Sequence, residues 1–323
     1  MIRARLSENG RFLVAPLCLA VAALWFAVAV PEFATLGNLG NVLSQMWVLA
    51  LLAVGQMFAI VTRGFDISVG SVAALSGTVA AMAANALGFW ALPAGALAGL
   101  ACGAVNGLLD GTFAVQPIVA TLGMFVGARG LALLVTDNGQ AVPLAETGLA
   151  ADLAYTPVLG LPATAWLAVA VLLLAAFLLN RTVTGRRLVM LGSNPDAAWL
   201  VGISPERVTL VAYALCGLFA GIAGLVMTLR AGTGLPTEGT GIELQSIAAA
   251  VIGGASLGGG VARVSGVVLG AAFVQVLFTG LNLAGISPFL AGVAVGLVII
   301  GSGLMEFAIR RFLSPLDHNR SLA

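Results

Sequence analysis

Five long stretches of the chain carry no charged side chain: Phe12–Pro31, Phe33–Thr62, Ile67–Leu109, Leu153–Asn180 and Val264–Met305. A helix needs roughly 20 mostly apolar residues to cross a bilayer, so the longest of these stretches each hold two crossings. Polar punctuation divides the pattern into ten apolar segments, near residues 12–31, 42–62, 67–87, 89–109, 113–136, 163–180, 208–230, 243–258, 264–284 and 287–308. In hydrocarbon the backbone must satisfy its own hydrogen bonds, and runs this long and continuous do not read as barrel strands. The pattern predicts an all-α, polytopic helical membrane protein with about ten transmembrane segments. The segment near 243–258 is short, and the breaks inside 42–87 and 243–284 read as places where helices are broken or re-entrant.

The arginines orient these segments. Basic residues collect on the interior side of a membrane. Arg3, Arg5 and Arg11 place the N-terminus inside, Arg181, Arg186, Arg187 and Arg207 mark an interior loop, and Arg310, Arg311 and Arg320 place the C-terminus inside. Six segments separate the first two clusters and four the last two, so both counts are even and the scheme closes. It puts Arg63 and Arg263 on the inner side as well. The longest outer loop, about 137–162, holds Asp137, Glu146 and Asp152 with no basic residue, and reads equally as a solvated connection or as a docking surface. The apolar run after Arg11 exceeds a usual signal-peptide core and reads as an uncleaved first span.

Composition sharpens this picture by exclusion. Hydrophobic residues make up 60% of the chain, charged residues 8%, and mean hydropathy is +1.08. A soluble domain carries about 25% charged residues, so a water-compatible surface is missing. In an apolar chain the 42 glycines read as sites of close helix packing, as in Gly95–Gly99 and Gly217–Gly221. The net charge is +1 and the chain contains no lysine, which rules out a P-loop lysine and a Schiff base in this chain. The one histidine, His318, lies in the polar tail, and Cys18, Cys102 and Cys216 sit in apolar runs as small hydrophobes. The residues predict no metal site and no catalytic constellation.

Four segments carry mechanism. The first, Thr62 to Ser71, is a polar break in which Arg63 and Asp66 are three apart and would pair in a helical turn. Asp66 reads either as an N-cap or as part of a broken helix lining a pathway. The second, Gly253 to Gly260, is too glycine-rich for a mid-membrane helix and predicts a loop. The third is interior: Asn194 as N-cap, Pro195 at the first helical position, Asp196 at the positive helix end and Gly202 as a stop predict a short helix over Pro195 to Val201. It would present Ala197, Ala198, Trp199, Leu200 and Val201 to a groove or to the lipid interface. The fourth, Gly232 to Leu244, is an outer turn whose Glu243 opens the next apolar run.

These segments together resemble the sugar permeases of ABC importers, typified by the ribose transporter permease. The resemblance rests on Gly55 to Gly77, including Asp66-Ile67-Ser68-Val69-Gly70-Ser71, on Ala104-Val105-Asn106-Gly107 with Thr121-Leu122-Gly123 and Arg129-Gly130, on Gly185 to Ile203, and on Pro236 to Gly270. The chain departs from the family pattern at Gln116-Pro117-Ile118 and at Gly258 to Arg263. The resemblance implies an inner-membrane importer of two permeases, this chain paired with a second copy or a sister, with two ATP-binding subunits and a periplasmic sugar-binding protein. No cofactor is expected in this chain; ATP and Mg would sit on the partner subunit, and nucleic acid plays no part. Asn194, Pro195, Asp196, Ala197, Ala198, Trp199, Leu200 and Gly202 would then couple to the ATPase. Thr62, Arg63, Asp66, Ser68, Asn106, Thr121, Glu243 and Ser256 are the candidates for the translocation pathway. The expected organisation is an interior segment 1–11, one membrane domain 12–309 with the interior coupling loop 181–207, and an interior tail 310–323. The alternative is an ion-coupled secondary transporter, which would enlist Asp66, Asp110 and Glu243; an intramembrane enzyme lacks an acid–base cluster.

Overall fold

The computed structural model describes residues 2–144, 157–158, 161–287, 289–297 and 300–301. Glu146, Asp152, Arg310, Arg311, His318 and Arg320, most of the loop 137–162, residues 288, 298–299 and 302–308 of the last predicted segment, and the tail 310–323 lie outside the described residues. The helices are α1 Ile2–Ala29, α2 Leu36–Val61, α3 Val69–Leu87, α4 Ala94–Gly111, α5 Pro117–Leu134, α6 Ala163–Arg181, α7 Val183–Ser193, α8 Pro195–Leu200, α9 Pro205–Ala231, α10 Ile242–Ile252 and α11 Val264–Leu283. Residues 289–297 are also helical. Eight of the described helices, α1 to α6, α9 and α11, are long and apolar enough to cross a membrane.

The predicted span near 243–258 is the main correction. Its helix, α10, has 11 residues. At 1.5 Å per residue that is ~16 Å, about half of a hydrocarbon core. The glycines that follow end it: Gly254, Gly259 and Gly260 take positive φ, a conformation that a helix cannot contain. The interior loop also holds a helix that the pattern did not predict, α7, ahead of the expected short one.

α2 is the hub. It is buried on every face from Val48 to Val61, against α9, α11, α10 and α6. A helix apolar all round needs such a central position. Among the described residues, α4 and α9 make the most extensive contact between helices, and glycine is the reason. Gly95, Gly99, Gly103, Gly107 and Gly111 recur every four residues along one face of α4. A Cβ at Gly99 would strike the backbone of Gly217 and Gly221, one at Gly103 the carbonyl of Tyr213, and one at Gly107 the backbone of Leu210. Lipid tails are as apolar as leucine, so helices in a membrane associate through close packing of this kind. The outward face of α1 leaves Leu13, Leu17, Leu24, Trp25 and Val28 exposed, as a lipid-facing or subunit-facing helix requires.

The inner and outer ends agree with the arginine scheme. The guanidinium of Arg263 lies 4.1 Å over the Phe12 ring, which joins the start of α11 to the inner part of α1. At the outer end, Val142–Pro143 (β1) pairs antiparallel with Thr233–Gly234 (β4), tying the outer loop to the outer turn. A second small ladder joins Pro157–Val158 (β2) to Leu161–Pro162 (β3).

The α4–α9 ladder yields a test. Gly103→Val forces the two backbones apart and lowers stability by at least the ~1–3 kcal/mol of ordinary overpacking. Gly123→Ala has open space around it and leaves the melting temperature unchanged or raised. Scanning fluorimetry of the detergent-solubilised protein separates the two. An equal drop in both variants would show that the ladder is not closely packed.

Candidate functional site

The break after α2 does not form the helical turn that would pair Arg63 with Asp66. Thr62 ends α2, its hydroxyl donating back to the Ala59 carbonyl at 2.9 Å. Arg63 takes φ 69°, a left-handed conformation unusual for a residue with a side chain. The chain then climbs back into the bundle through Gly64, where a Cβ would collide with the Tyr213 ring. Tyr213 is fully buried and its hydroxyl donates to the Phe65 carbonyl at 3.3 Å.

Asp66 lies at the end of this climb, 1% exposed. It is not the cap of α3; Ser68 holds that position. Instead Asp66 Oδ1 accepts from the Ser68 N–H at 2.8 Å and from the Ser68 hydroxyl. Asn106 Nδ2, from α4, donates to Asp66 Oδ2 at 3.3 Å and to Ser68 Oγ at 3.1 Å. Gln56 holds the Asp66 backbone: with the amide oriented to satisfy both partners, it donates to the carbonyl at 2.9 Å and accepts from the N–H at 3.1 Å. Gln56 is five residues before the end of α2 and Asn106 five before the end of α4. Asp66 therefore sits about 8 Å in from the inner ends of these helices. A polar group at that depth must be hydrogen-bonded by protein, and Ser68, Asn106 and Gln56 do so for Asp66, while Asn106 Oδ1 is buried with no hydrogen bond among the described residues.

Arg63 turns the other way. Its Nε donates to the Gly192 carbonyl at 2.7 Å and Nη2 to the Ser193 carbonyl at 3.1 Å. These are the last carbonyls of α7, which a helix leaves without partners and which a cation suits. The loop after α10 joins the same knot, the Gly260 N–H donating to the Val61 carbonyl at 2.9 Å. Gly192, Gly259 and Gly260 leave no room for a Cβ against Val61, Arg63 and Ser193. Ser256 lies in this loop, 3% exposed. Three segments distant in sequence thus meet directly behind α8.

α8 is capped as its composition predicts, with Asn194 Oδ1 accepting from the Ala197 N–H at 3.0 Å, Pro195 at the first position and Asp196 in the first turn. It ends at Leu200, one residue earlier than expected, and Gly202 turns the chain at φ 80°. Ala198 is fully buried against the fold and so is not presented, contrary to the sequence reading: a helix this short packs one face on its own protein. Trp199, Leu200 and Val201 are 68%, 76% and 63% exposed, an apolar patch at an inner surface. Ala197 is partly buried between the two faces.

Of the other pathway candidates, Thr121 is buried near the start of α5, its hydroxyl donating to the Pro117 carbonyl at 2.9 Å, and does not join the Asp66 group. Glu243 stands apart too. Its Oε1 accepts from the Gly241 N–H at 3.1 Å, and Oε2 is buried without a hydrogen bond, against Gly70 at the start of α3. Gly70 is four residues beyond Asp66, so the outer turn dips to about the middle of the bundle before α10 begins. Arg129 on α5 supports that turn through Nη1, donating to the Pro236 carbonyl at 2.6 Å and the Glu238 carbonyl at 2.8 Å. Sequence reasoning gave no role to Gln56, Tyr213 or Arg129. Their signal was present: each is a polar side chain inside an apolar run, where such groups are costly unless used.

The chain matches, over residues 38–303, the family described as branched-chain amino acid transport system / permease component. It is 39% identical over 283 residues to the ribose import permease protein of Escherichia coli (strain K12), covering 85% of this chain and 87% of that protein. It is 35% identical over 289 residues to the L-arabinose transport system permease protein of the same strain, covering 89% and 88%. It is 34% identical over 300 residues to the D-allose transport system permease protein of that strain, covering 91% and 90%. No solved structure matches the chain. The chain belongs to this family of transport-system permeases and is a multi-pass inner-membrane protein.

The Asp66 group predicts a coupling. Asn106→Leu removes the donor to Asp66 Oδ2 and lowers stability by about 1–3 kcal/mol, the penalty for a buried polar atom left without its partner. Asp66→Asn and Asn106→Leu combined cost less than the sum, since both act on the same bond. Additive losses in thermal unfolding of the purified protein would show that the two side chains are independent.

Proposed function

We propose that this chain is the membrane permease subunit of an ATP-driven, binding-protein-dependent importer of a sugar, a monosaccharide-like solute, and that it works as one of a pair of permeases. The observation that carries this reading is α8: a capped helix at the inner surface with Trp199, Leu200 and Val201 exposed together. Exposed aromatic and aliphatic side chains on a held helix are what a groove on another protein binds. The names of the relatives, permeases for ribose, L-arabinose and D-allose, support a sugar as the solute.

In this reading an ATP-binding subunit, with its ATP and Mg, receives α8 in a groove. A periplasmic sugar-binding protein docks at the outer loops, and a second copy or a sister permease completes the pathway. The membrane domain is 12–309, with 181–207 as the coupling loop between the interior ends. ATP binding closes the ATPase pair and displaces α8. Because Arg63 ties the end of α7 to the end of α2, the displacement reaches the Asp66 break and the loop after α10 together. The pathway then switches from inward-open to outward-open as the loaded binding protein docks. The switch is driven by the different affinities of ATP and binding protein for the two states. The sugar crosses with no covalent bond made or broken.

The test uses Trp199→Asp with Leu200→Asp, both exposed, so the fold tolerates them. Ala198→Asp is unsuitable, because it would bury a carboxylate. In the reconstituted complex the double variant weakens ATPase association by about tenfold or more, as loss of an aromatic anchor does, and abolishes binding-protein-stimulated ATP hydrolysis. Undiminished stimulation would overturn the role of α8. Sugar uptake by the purified chain alone under an ion gradient would overturn the ATP-driven reading.

A further inference from the structure

α2, α11 and the segment after α11 enclose a cleft of about 260 Å³ at the outer ends of the two helices; Leu283, Ile286 and Ala291 are among its apolar lining, and its polar lining is Asn38, Asn41, Gln45, Gln275, Thr279 and Asn282. These are three side chains from each helix, at spacings of three and four residues, so each helix contributes one polar stripe. The stripes face each other: Gln275 Nε2 donates to Gln45 Oε1 and to Thr279 Oγ1, both at 3.1 Å. Gln45 is nine residues in from Leu36 and Gln275 eight in from Leu283. The floor of the cleft therefore lies about 12–14 Å deep, close to the middle of a bilayer core. Below it α2 is buried and mostly apolar from Val48 to Val61.

The Gln45 and Gln275 amides at this depth, with Asn41 and Thr279 above them, would lose hydrogen bonds against lipid, so the stripes require water, solute or protein in front of them. Among the described residues, no lining side chain is charged. Asn and Gln each offer a donor and an acceptor, which matches a hydroxyl that does both, whereas an ionic solute would find no counter-charge. The Phe278 ring lines the same cleft and supplies an apolar face. Such a wall holds a sugar through C–H contact on one side and hydroxyl bonds on the other. We propose that this cleft is a transit subsite for a neutral polyhydroxylated solute on its way from the outer surface. The proposal rests on the import reading and names where the solute is received.

Two measurements on the full chain test it. In the first, Asn41→Cys is labelled with a membrane-impermeant thiosulfonate, with the unsubstituted chain reporting the background from Cys18, Cys102 and Cys216. D-ribose slows the labelling and gluconate, a charged polyol, does not. Labelling unaffected by D-ribose, or slowed equally by gluconate, overturns the subsite. This arm needs no ATP, so protection without ATP-driven uptake keeps the cleft and rejects the import reading. In the second, Gln45→Ala with Asn282→Ala, both exposed, is placed in the reconstituted complex. D-ribose taken up per ATP hydrolysed falls about fivefold, the net worth of one hydrogen bond. An unchanged ratio overturns the proposal. Separation of the permease pair on native mass measurement also overturns it and assigns the face to a contact between copies.

Discussion

A membrane helix that stops short must find partners for its loose backbone within the protein, because lipid offers none. The arrangement of this chain follows from how it meets that demand at two places. The first is the climb from Val61 to Ser68, and the second is the descent from Gly232 to α10. Each is non-helical backbone at membrane depth, and each is sealed by hydrogen bonds within the protein. Gln56, Asn106, Tyr213 and Arg63 seal the first. Arg129, Glu243 and the β1–β4 ladder seal the second. The two breaks meet where Glu243 lies against Gly70.

Arg63 and Asp66 show how a polar break divides its labour. Three residues apart, they face opposite ways: the carboxylate into the bundle and the guanidinium toward the interior loop. The carboxylate makes the climb stable at depth. The guanidinium fastens that climb to the end of α7, and through α7 to α8. A displacement at the inner surface thereby has a route to the bundle interior that passes through two charge-assisted hydrogen bonds to backbone carbonyls.

Much of this was legible in the sequence, and what was not has physical reasons. Charge-free runs set the long helices, and the arginines set their direction, because both report a one-residue cost of placing charge in lipid. Asn194, Pro195 and Gly202 announced α8, since capping is local chemistry. The same local reading misjudged Ala198, because which face of a short helix packs inward is decided by α9 and the loop around it. It left the Arg63–Asp66 pair conditional on a helical turn, because helical geometry at a break is a tertiary outcome. It took 243–258 for a span by hydropathy, though α10 ends at residue 252 where the glycines begin. The outer cleft escaped for a further reason: Asn38 to Gln45 and Gln275 to Asn282 are 230 positions apart at the Gln45–Gln275 bond, and neither stripe is conspicuous alone.

The knot at the inner face also constrains the order in which the protein can be built. The Ser68 and Asn106 hydrogen bonds of the Asp66 side chain lie within the first 106 residues, so that part of the break can form as soon as α4 is in the membrane. Arg63 has no such early partner: its carbonyls are at 192 and 193, and the Val61 carbonyl waits for residue 260. A ribosome adds roughly 5–20 residues per second, so the bundle spends many seconds with its inner seam open. Until the loop after α10 has been delivered, the growing chain is an insertion intermediate whose Asp66 side chain has its early partners while the Val61 carbonyl waits for Gly260.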